Sequence, residues 1–453
     1  MTYSKPPRER GFNVVGYITG NLGLGVAARN TISRLIAAGE SVSVVDINPG
    51  HRHSGNDTTH ACLPRPTFES AYSTNLFHLN PPEALGHRLA WQPLLSVKTS
   101  LNVCVPFWEL PLLPPSWVEA LRCMDYVLAP TRFIEAACLR ALPSHSVIYY
   151  PQSVHLPEAI VADRRRWSIP ADVVSFLVTF DINSDVARKN PWASIEAFSL
   201  AFPADASVWL VVRVNGQPET PITMQQMVAL EAAAAADPRI RLVRGPLSYR
   251  DVLSLYASCD VLVSLHRAEG LGLHLMEAMS LGKPIVTTGW SGNVDFMDED
   301  SACLVPAHFI PVEATQESYS TQVIGPGQYW AEPSVAAAAE YLRQLAEDSE
   351  YRLRIGSRAR QRILEHFDTV QNDTTLTHLA ETSVASVRRT RESRARVRRF
   401  ARLLCHPPST RRGFVESIRH SVVVLLRLFH LYPQPPEEER QRREAERRLR
   451  GVR

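Results

Sequence analysis

The sequence predicts an α/β protein: two Rossmann-like, doubly wound domains in tandem facing a cleft, followed by a basic helical C-terminal tail. Three observations carry this expectation. The chain opens with an apolar strand, a glycine-containing turn, a helical pattern and a second strand, which is the unit of a parallel sheet. A second series of short Val/Ile/Leu-rich runs with helical patterns between them follows a break near residues 157–170, where Pro157 precedes a charged Asp-Arg-Arg-Arg. The 453 residues, 45% apolar, are too many for one core and enough for two. The expected boundaries are 1–165, 166–385 and 386–453.

In order, residues 12–18 read as a buried strand, with a helix through residues 27–38 and a strand at 41–46. Further strands fit 75–79, 101–105, 126–129 and 146–150, with helices at 117–123 and 132–142 between them. The second series has strands at 173–180, 208–213, 240–243, 260–265 and 284–287. Two such sheets in tandem place the carboxyl ends of their strands against one ligand.

Bulk properties narrow the setting. No apolar run is long enough for a membrane span, and the first ten residues lack the apolar segment of a secretory signal, so a cytoplasmic protein is expected. The seven cysteines are scattered without a Cys-x-x-Cys pair and read as small buried apolar residues. The net charge of +3 is uneven: residues 388–453 hold 19 Arg against 7 Glu, so +3 less +12 leaves −9 for the rest.

The chemistry concentrates at residues 269–286, Glu-Gly-Leu-Gly-Leu-His-Leu-Met-Glu-Ala-Met-Ser-Leu-Gly-Lys-Pro-Ile-Val. A strand precedes this stretch, and residues 273–281 read as a helix ended by Gly282 and Pro284. Glu269 therefore stands at the strand tip and Glu277 about two turns into the helix. Gly270 and Gly272 admit a close ligand, and the amides at the helix start favour anionic oxygens. A nucleotide-diphosphate sugar suits the set, because carboxylates accept from sugar hydroxyls while free amides receive a diphosphate.

In that context, Glu-Gly-Leu-Gly-Leu-x-x-x-Glu-Ala-Met-x-x-Gly-Lys-Pro-Ile-Val, the sequence resembles the retaining GT-B glycosyltransferases of family 4. Residues 21–29, 108–111, 180–191 and 195–198 carry the same resemblance, which spans about residues 12–370. It implies that Glu277 binds the donor ribose, that Glu269 contacts hydroxyls of the transferred sugar, and that amides around Gly270, Leu271, Gly272 and Leu273 hold sugar or phosphate. It also brings the loop with Gly23 and Gly25 near the donor phosphates.

The resemblance implies an Arg and a Lys after the first strand of the second domain that neutralise the leaving diphosphate, and Arg188 and Lys189 stand there, Lys189 as the nearer match. The sequence departs here from the commoner Gly-Arg-x-Ser-x-x-Lys-Gly form, and Arg188 either grips phosphate or points to solvent. His78, or Asn80 in the place of a second histidine, is implied near the transferred sugar; otherwise His78 is a satisfied histidine at a strand end. Glu109 is expected on the acceptor side or in a structural hydrogen bond. The implied reaction retains anomeric configuration by same-face attack, with no metal and no cofactor beyond the donor substrate.

Other readings compete. Gly23-x-Gly25-x-x-Ala28 after a strand, with Asp46 about 20 residues on, satisfies a dinucleotide-binding fingerprint and would suit an NAD-dependent oxidoreductase. That reading leaves residues 269–286 unexplained. A non-catalytic nucleotide-sugar binder on the same fold is a further alternative. His51, His53, His60 and Cys62 match no closed zinc site, and Asp298-Glu-Asp300 reads as an exposed acidic turn.

The partners expected are therefore a nucleotide sugar and a hydroxyl acceptor. Nucleic acid is not among them, because the tail has charge without interleaved aromatics. The apolar piece at residues 421–432, flanked by Arg, suits an interfacial helix on anionic lipid. Peripheral attachment predicts salt-sensitive cosedimentation with anionic vesicles that disappears when residues 388–453 are deleted; binding that survives the deletion refutes it.

Overall fold

The computed structural model describes residues 9–20, 22–47, 63–66, 72–90, 101–312, 319 and 326–381. The tail, the His51/His53/His60/Cys62 segment and Asn21 lie outside the described residues.

The first sheet is built from β1 (Glu9–Gly16), β2 (Val42–Asp46), β3 (Tyr72–His78), β4 (Leu101–Cys104), β5 (Tyr126–Ala129) and β6 (Val147–Tyr149). Its strands run parallel in the order β2-β1-β3-β4-β5-β6. The helices α1 (Gly23–Ala37), α2 (Pro81–Ala90), α3 (Pro115–Leu121) and α4 (Arg132–Leu139) alternate with the strands. Every residue of β4 is buried, as expected for a parallel sheet covered on both faces.

The second sheet contains β7 (Val174–Asp181), β8 (Val208–Asn215), β9 (Ile240–Val243), β10 (Val261–Ser264), β11 (Ile285–Thr288) and β12 (Cys303–Val305). It is also parallel, in the order β12-β11-β10-β7-β8-β9. Its helices are α5 (Val186–Lys189), α6 (Pro191–Ala201), α7 (Pro221–Ala236), α8 (Tyr249–Ser258) and α9 (Leu273–Ser280). An antiparallel pair, β13 (Ala307–Pro311) with β14 (Tyr329–Pro333), follows, and then α10 (Val335–Glu347), α11 (Ser349–Gln371) and α12 (Thr375–Glu381).

Local signals explain the helix starts. Thr131, Ser248, Ser334 and Asp348 each accept a hydrogen bond from a first-turn amide, and Thr220 with Thr223 forms a capping box ahead of Pro221. One face of the second sheet packs on α6 and α10 through Phe198, Ala338 and Leu342. The other packs on α8, α9 and α11 through Leu255, Met276 and Ile363. Each domain thus has its own core, and the fold is the two-domain GT-B arrangement expected from the sequence.

Two expectations are corrected. First, α1 starts at Gly23 rather than near Ala27, so Gly23 and Gly25 lie in its first turn and not in the preceding loop. The cause is close packing: a Cβ on Gly25 would fall 2.5 Å from the carbonyl oxygens of Tyr17 and Gly20. Second, residues 166–385 are not one continuous domain. Leu376, Leu379 and Ala380 of α12 are buried with Phe12, Ile32 and Leu76 in the core of the first sheet, because α12 presents an apolar face that only that sheet covers.

A Cβ added at Gly356 on α11 would meet the carbonyl oxygen of Gly282 at 2.2 Å. Gly356→Ala should therefore lower unfolding stability by about 1–3 kcal/mol despite the better helix propensity of Ala. Urea denaturation checks this, and an unchanged or raised midpoint contradicts it.

Candidate active site

Both sheets reverse their strand order, beside β1 and β3 in one and beside β7 and β10 in the other. Such reversals open crevices at the carboxyl ends of strands. A cavity of ≈ 620 Å³ lies there, lined from the first domain by Gly23, Asn80, Trp108 and Glu109, among others. From the second domain come Arg188, Lys189, Arg213, Tyr249, Glu269, Gly270, Leu271, Gly272, Leu273, His274, Glu277 and Tyr319.

The wall around Glu269 is assembled by backbone contacts. Gly272 sits at φ 92 as the N-cap of α9, a conformation that favours glycine. The Gly292 amide donates to the Glu269 carbonyl at 2.8 Å, and Ser291 Oγ accepts from the Glu269 amide at 2.9 Å. A Cβ on Gly270 would stand 3.0 Å from the Trp108 carbonyl oxygen, so this loop touches the first domain. Thr131 Oγ1 also donates to the Gly270 carbonyl at 3.0 Å.

Glu269 is 8% exposed and binds Lys189 Nζ through Oε2, with Arg188 Nη1 3.6 Å from the same oxygen. Burial alone would raise its pKa, but Lys189 and Arg188 more than offset that, and the carboxylate is held well below its ordinary range. Burial depresses the Lys189 ammonium while Glu269 supports it. Arg188 does not point to solvent: its Nη atoms donate to the carbonyls of Ala268 and Ser184 at 3.0 Å, and Nη2 lies 3.7 Å from Glu109. Burial disfavours its charge, yet Glu109, Tyr319 and Glu269 together push its pKa up.

Toward the other end, Tyr249 donates from its hydroxyl to Glu277 Oε1 at 2.9 Å. Glu109 accepts from Tyr319 at 2.8 Å, so on the cavity wall it carries a structural hydrogen bond as well.

Several sequence expectations look different in three dimensions. His78 is fully buried next to Gly16 in the sheet and is not part of the cavity wall, whereas Asn80 is. Gly25, too, is absent from that wall; it serves the packing of α1. Asp46 accepts from the Ile18 amide at 2.9 Å and from Thr19 Oγ1 at 2.6 Å, so both oxygens serve the loop after β1. Those bonds and the helical place of Gly23 and Gly25 weaken the dinucleotide reading. Asp298 closes a turn onto Ser301 and pairs with Arg362 at 3.2 Å, as an acidic turn should. No group of metal-binding side chains occurs among the described residues.

Sequence reasoning missed Arg213, Tyr319 and His274. Arg213 projects from an otherwise apolar strand, donates to the Gly245 carbonyl at 2.9 Å, and has no carboxylate within ion-pair distance among the described residues. Its charge in an apolar run was the available signal. Tyr319 had none, since its partner Glu109 is 210 residues away.

Residues 189–317 match the family model of glycosyl transferases group 1. No curated protein matches the chain. Among solved structures, sucrose-phosphate synthase from Thermosynechococcus elongatus superposes with TM-score 0.56 at 15% identity, over 80% of this chain and 96% of that one. Anabaena HepE in complex with UDP and glucose gives 0.55 at 14% identity, over 83% and 100%. An α,α-trehalose-phosphate synthase (UDP-forming) from Burkholderia vietnamiensis gives 0.55 at 12%, over 82% and 98%. At these identities the structural likeness is one of fold. With the family match it bears out the resemblance to GT-B glycosyltransferases of group 1.

The buried histidines generate a pH dependence. Burial lowers the pKa of His78 and His274 to about 3 and of His266 to about 4, from 6.5. Below pH 6.5 the unfolded chain takes up protons that these rings refuse, so stability is full above that pH and falls with acidification. Each histidine costs about 1.4 kcal/mol per pH unit down to its folded pKa. Urea midpoints at pH 7 and pH 5 should differ accordingly; equal midpoints refute the neutral assignment.

Proposed function

We propose that the protein transfers a hexosyl unit from a nucleotide-diphosphate sugar to a hydroxyl acceptor in glycan or polysaccharide biosynthesis, retaining anomeric configuration and using neither metal nor further cofactor. The observation that carries this reading is the shared cavity wall: Glu269 paired with Lys189 and Arg188, and Glu277 bonded to Tyr249, line one cavity with Asn80, Trp108 and Glu109 of the first domain. HepE, whose solved complex holds UDP and glucose, supports the ligand class.

In this reading Glu277 accepts from the donor ribose and the start of α9 offers amides to the diphosphate. When the glycosidic C–O bond to phosphate breaks, its electron pair goes to the departing oxygen, and Lys189 and the amides stabilise that charge. Arg188 acts from behind, keeping Glu269 ionised and placed for the hydroxyls of the transferred sugar. The acceptor hydroxyl attacks from the face the phosphate leaves, and its proton passes to the leaving phosphate, so no protein base is required. Glu109 and Asn80 line the acceptor side. Transfer of a sugar involves no net oxidation, which gives nicotinamide no part.

Calorimetry with UDP, GDP, ADP, dTDP and NAD tests the reading. One diphosphate should bind, and Glu277→Ala should weaken it about 10- to 100-fold. Binding of NAD alone overturns the proposal. Binding without sugar transfer to any hydroxyl acceptor favours the non-catalytic binder; where transfer occurs, Lys189→Met should lower turnover.

A further inference from the structure

A polar chain runs from the cavity wall into the second sheet and is left unused by the reading above. His274, the second residue of α9, lines the cavity, and its Nε2 lies 3.3 Å from Ser264 Oγ. Ser264 Oγ is 3.1 Å from His266 Nδ1, and His266 Nε2 is 3.3 Å from the carbonyl oxygen of Trp290. Ser264 and His266 are buried, at 9% and 0% exposure.

The direction of every hydrogen bond in this chain can be assigned. A carbonyl oxygen only accepts, so His266 Nε2 carries the hydrogen. Burial keeps His266 neutral, with its pKa lowered to about 4, and Nδ1 is therefore a bare acceptor. Ser264 has one hydroxyl hydrogen and must give it to that nitrogen. Its oxygen can then only accept from His274, so His274 Nε2 is the protonated nitrogen. His274 is also held neutral by burial, and its Nδ1 is left as a bare lone pair with no hydrogen-bond partner among the described residues.

A bare nitrogen repels an anionic phosphate oxygen and needs a hydroxyl or amide donor. His274 stands at the start of α9, directly after the loop that carries Glu269, and both residues line the cavity, which puts His274 on the wall assigned to the transferred sugar. Resting on the glycosyl-transfer reading, we propose that His274 Nδ1 accepts a hydrogen bond from a hydroxyl of the transferred sugar and so selects the donor's hexose. Ser264 and His266 act as positioning residues: they lock the tautomer that keeps Nδ1 an acceptor.

The test is calorimetry without acceptor. UDP, GDP, ADP and dTDP are titrated first, followed by UDP-glucose, GDP-mannose, ADP-glucose or dTDP-glucose, according to which diphosphate binds. His274→Leu should weaken the sugar ester about tenfold while changing affinity for the bare diphosphate less than about twofold. His274→Gln, which can offer an amide oxygen, should recover part of the loss, and Ser264→Ala should fall between wild type and His274→Leu. If His274→Leu does not fold, the other two variants report the same ratio of ester to diphosphate affinity. Equal weakening of both ligands, or of neither, overturns the inference alone. Failure of the wild-type protein to bind any diphosphate overturns the function reading and the inference with it.

Discussion

Glu269 held by Lys189 and Arg188 is the contact on which the rest of the cavity depends. These groups come from the loop after β10 and from α5 after β7, and each is nearly closed to solvent. Removing charges from water costs several kcal/mol per ion, so such a cluster persists only where its members satisfy one another. Backbone carbonyls of Ala268 and Ser184 accept from the two Nη atoms of Arg188, whose buried Nε has no partner among the described residues, and Arg267 ties the same two elements through the Ala187 carbonyl at 2.9 Å. Through Glu109 the cluster also reaches the first domain. Loss of Glu269 would leave Lys189 buried without the carboxylate it pairs with, whereas loss of either cation would leave Glu269 the other.

The cluster also orders the chemistry along the cavity. Lys189 and Arg188 bring positive charge beside Glu269, while Glu277, bonded to Tyr249, offers a hydrogen-bonding surface on the same wall. The uncharged Asn80 and the hydrogen-bonded Glu109 line the same cavity from the first domain, with Glu109 3.7 Å from Arg188. Both domains thus contribute polar side chains to one cavity wall.

Much of this was readable from local pattern. The strand before Glu269, the helix carrying Glu277 and the glycines between them follow from apolar periodicity and backbone freedom, both of which are properties of neighbouring residues. What was not readable arises from contacts between distant ones. His78 and Asn80 are two residues apart on the same segment, and only packing beside Gly16 decides that the histidine goes inside. Ser264, His266 and His274 have a spacing with no meaning until a strand end, a loop and a helix start are brought together. Gly25 matched a nucleotide fingerprint because close helix packing and phosphate approach both require the absence of a Cβ.

The return of α12 to the first sheet has a mechanical side. The chain crosses between the two sheets once after β6 and again between α11 and α12, where Arg34 donates to the Asp373 carbonyl at 3.0 Å and His366 meets the Gln152 carbonyl at 2.9 Å. Two covalent crossings define a line, as two pins define the axis of a door. A swing about that line would leave both connections and their hydrogen bonds in place. Arg34, Asp373, Gln152 and His366 at the crossings stand apart from the cavity wall, so changes there would alter the joint between the sheets and leave the wall's own side chains intact.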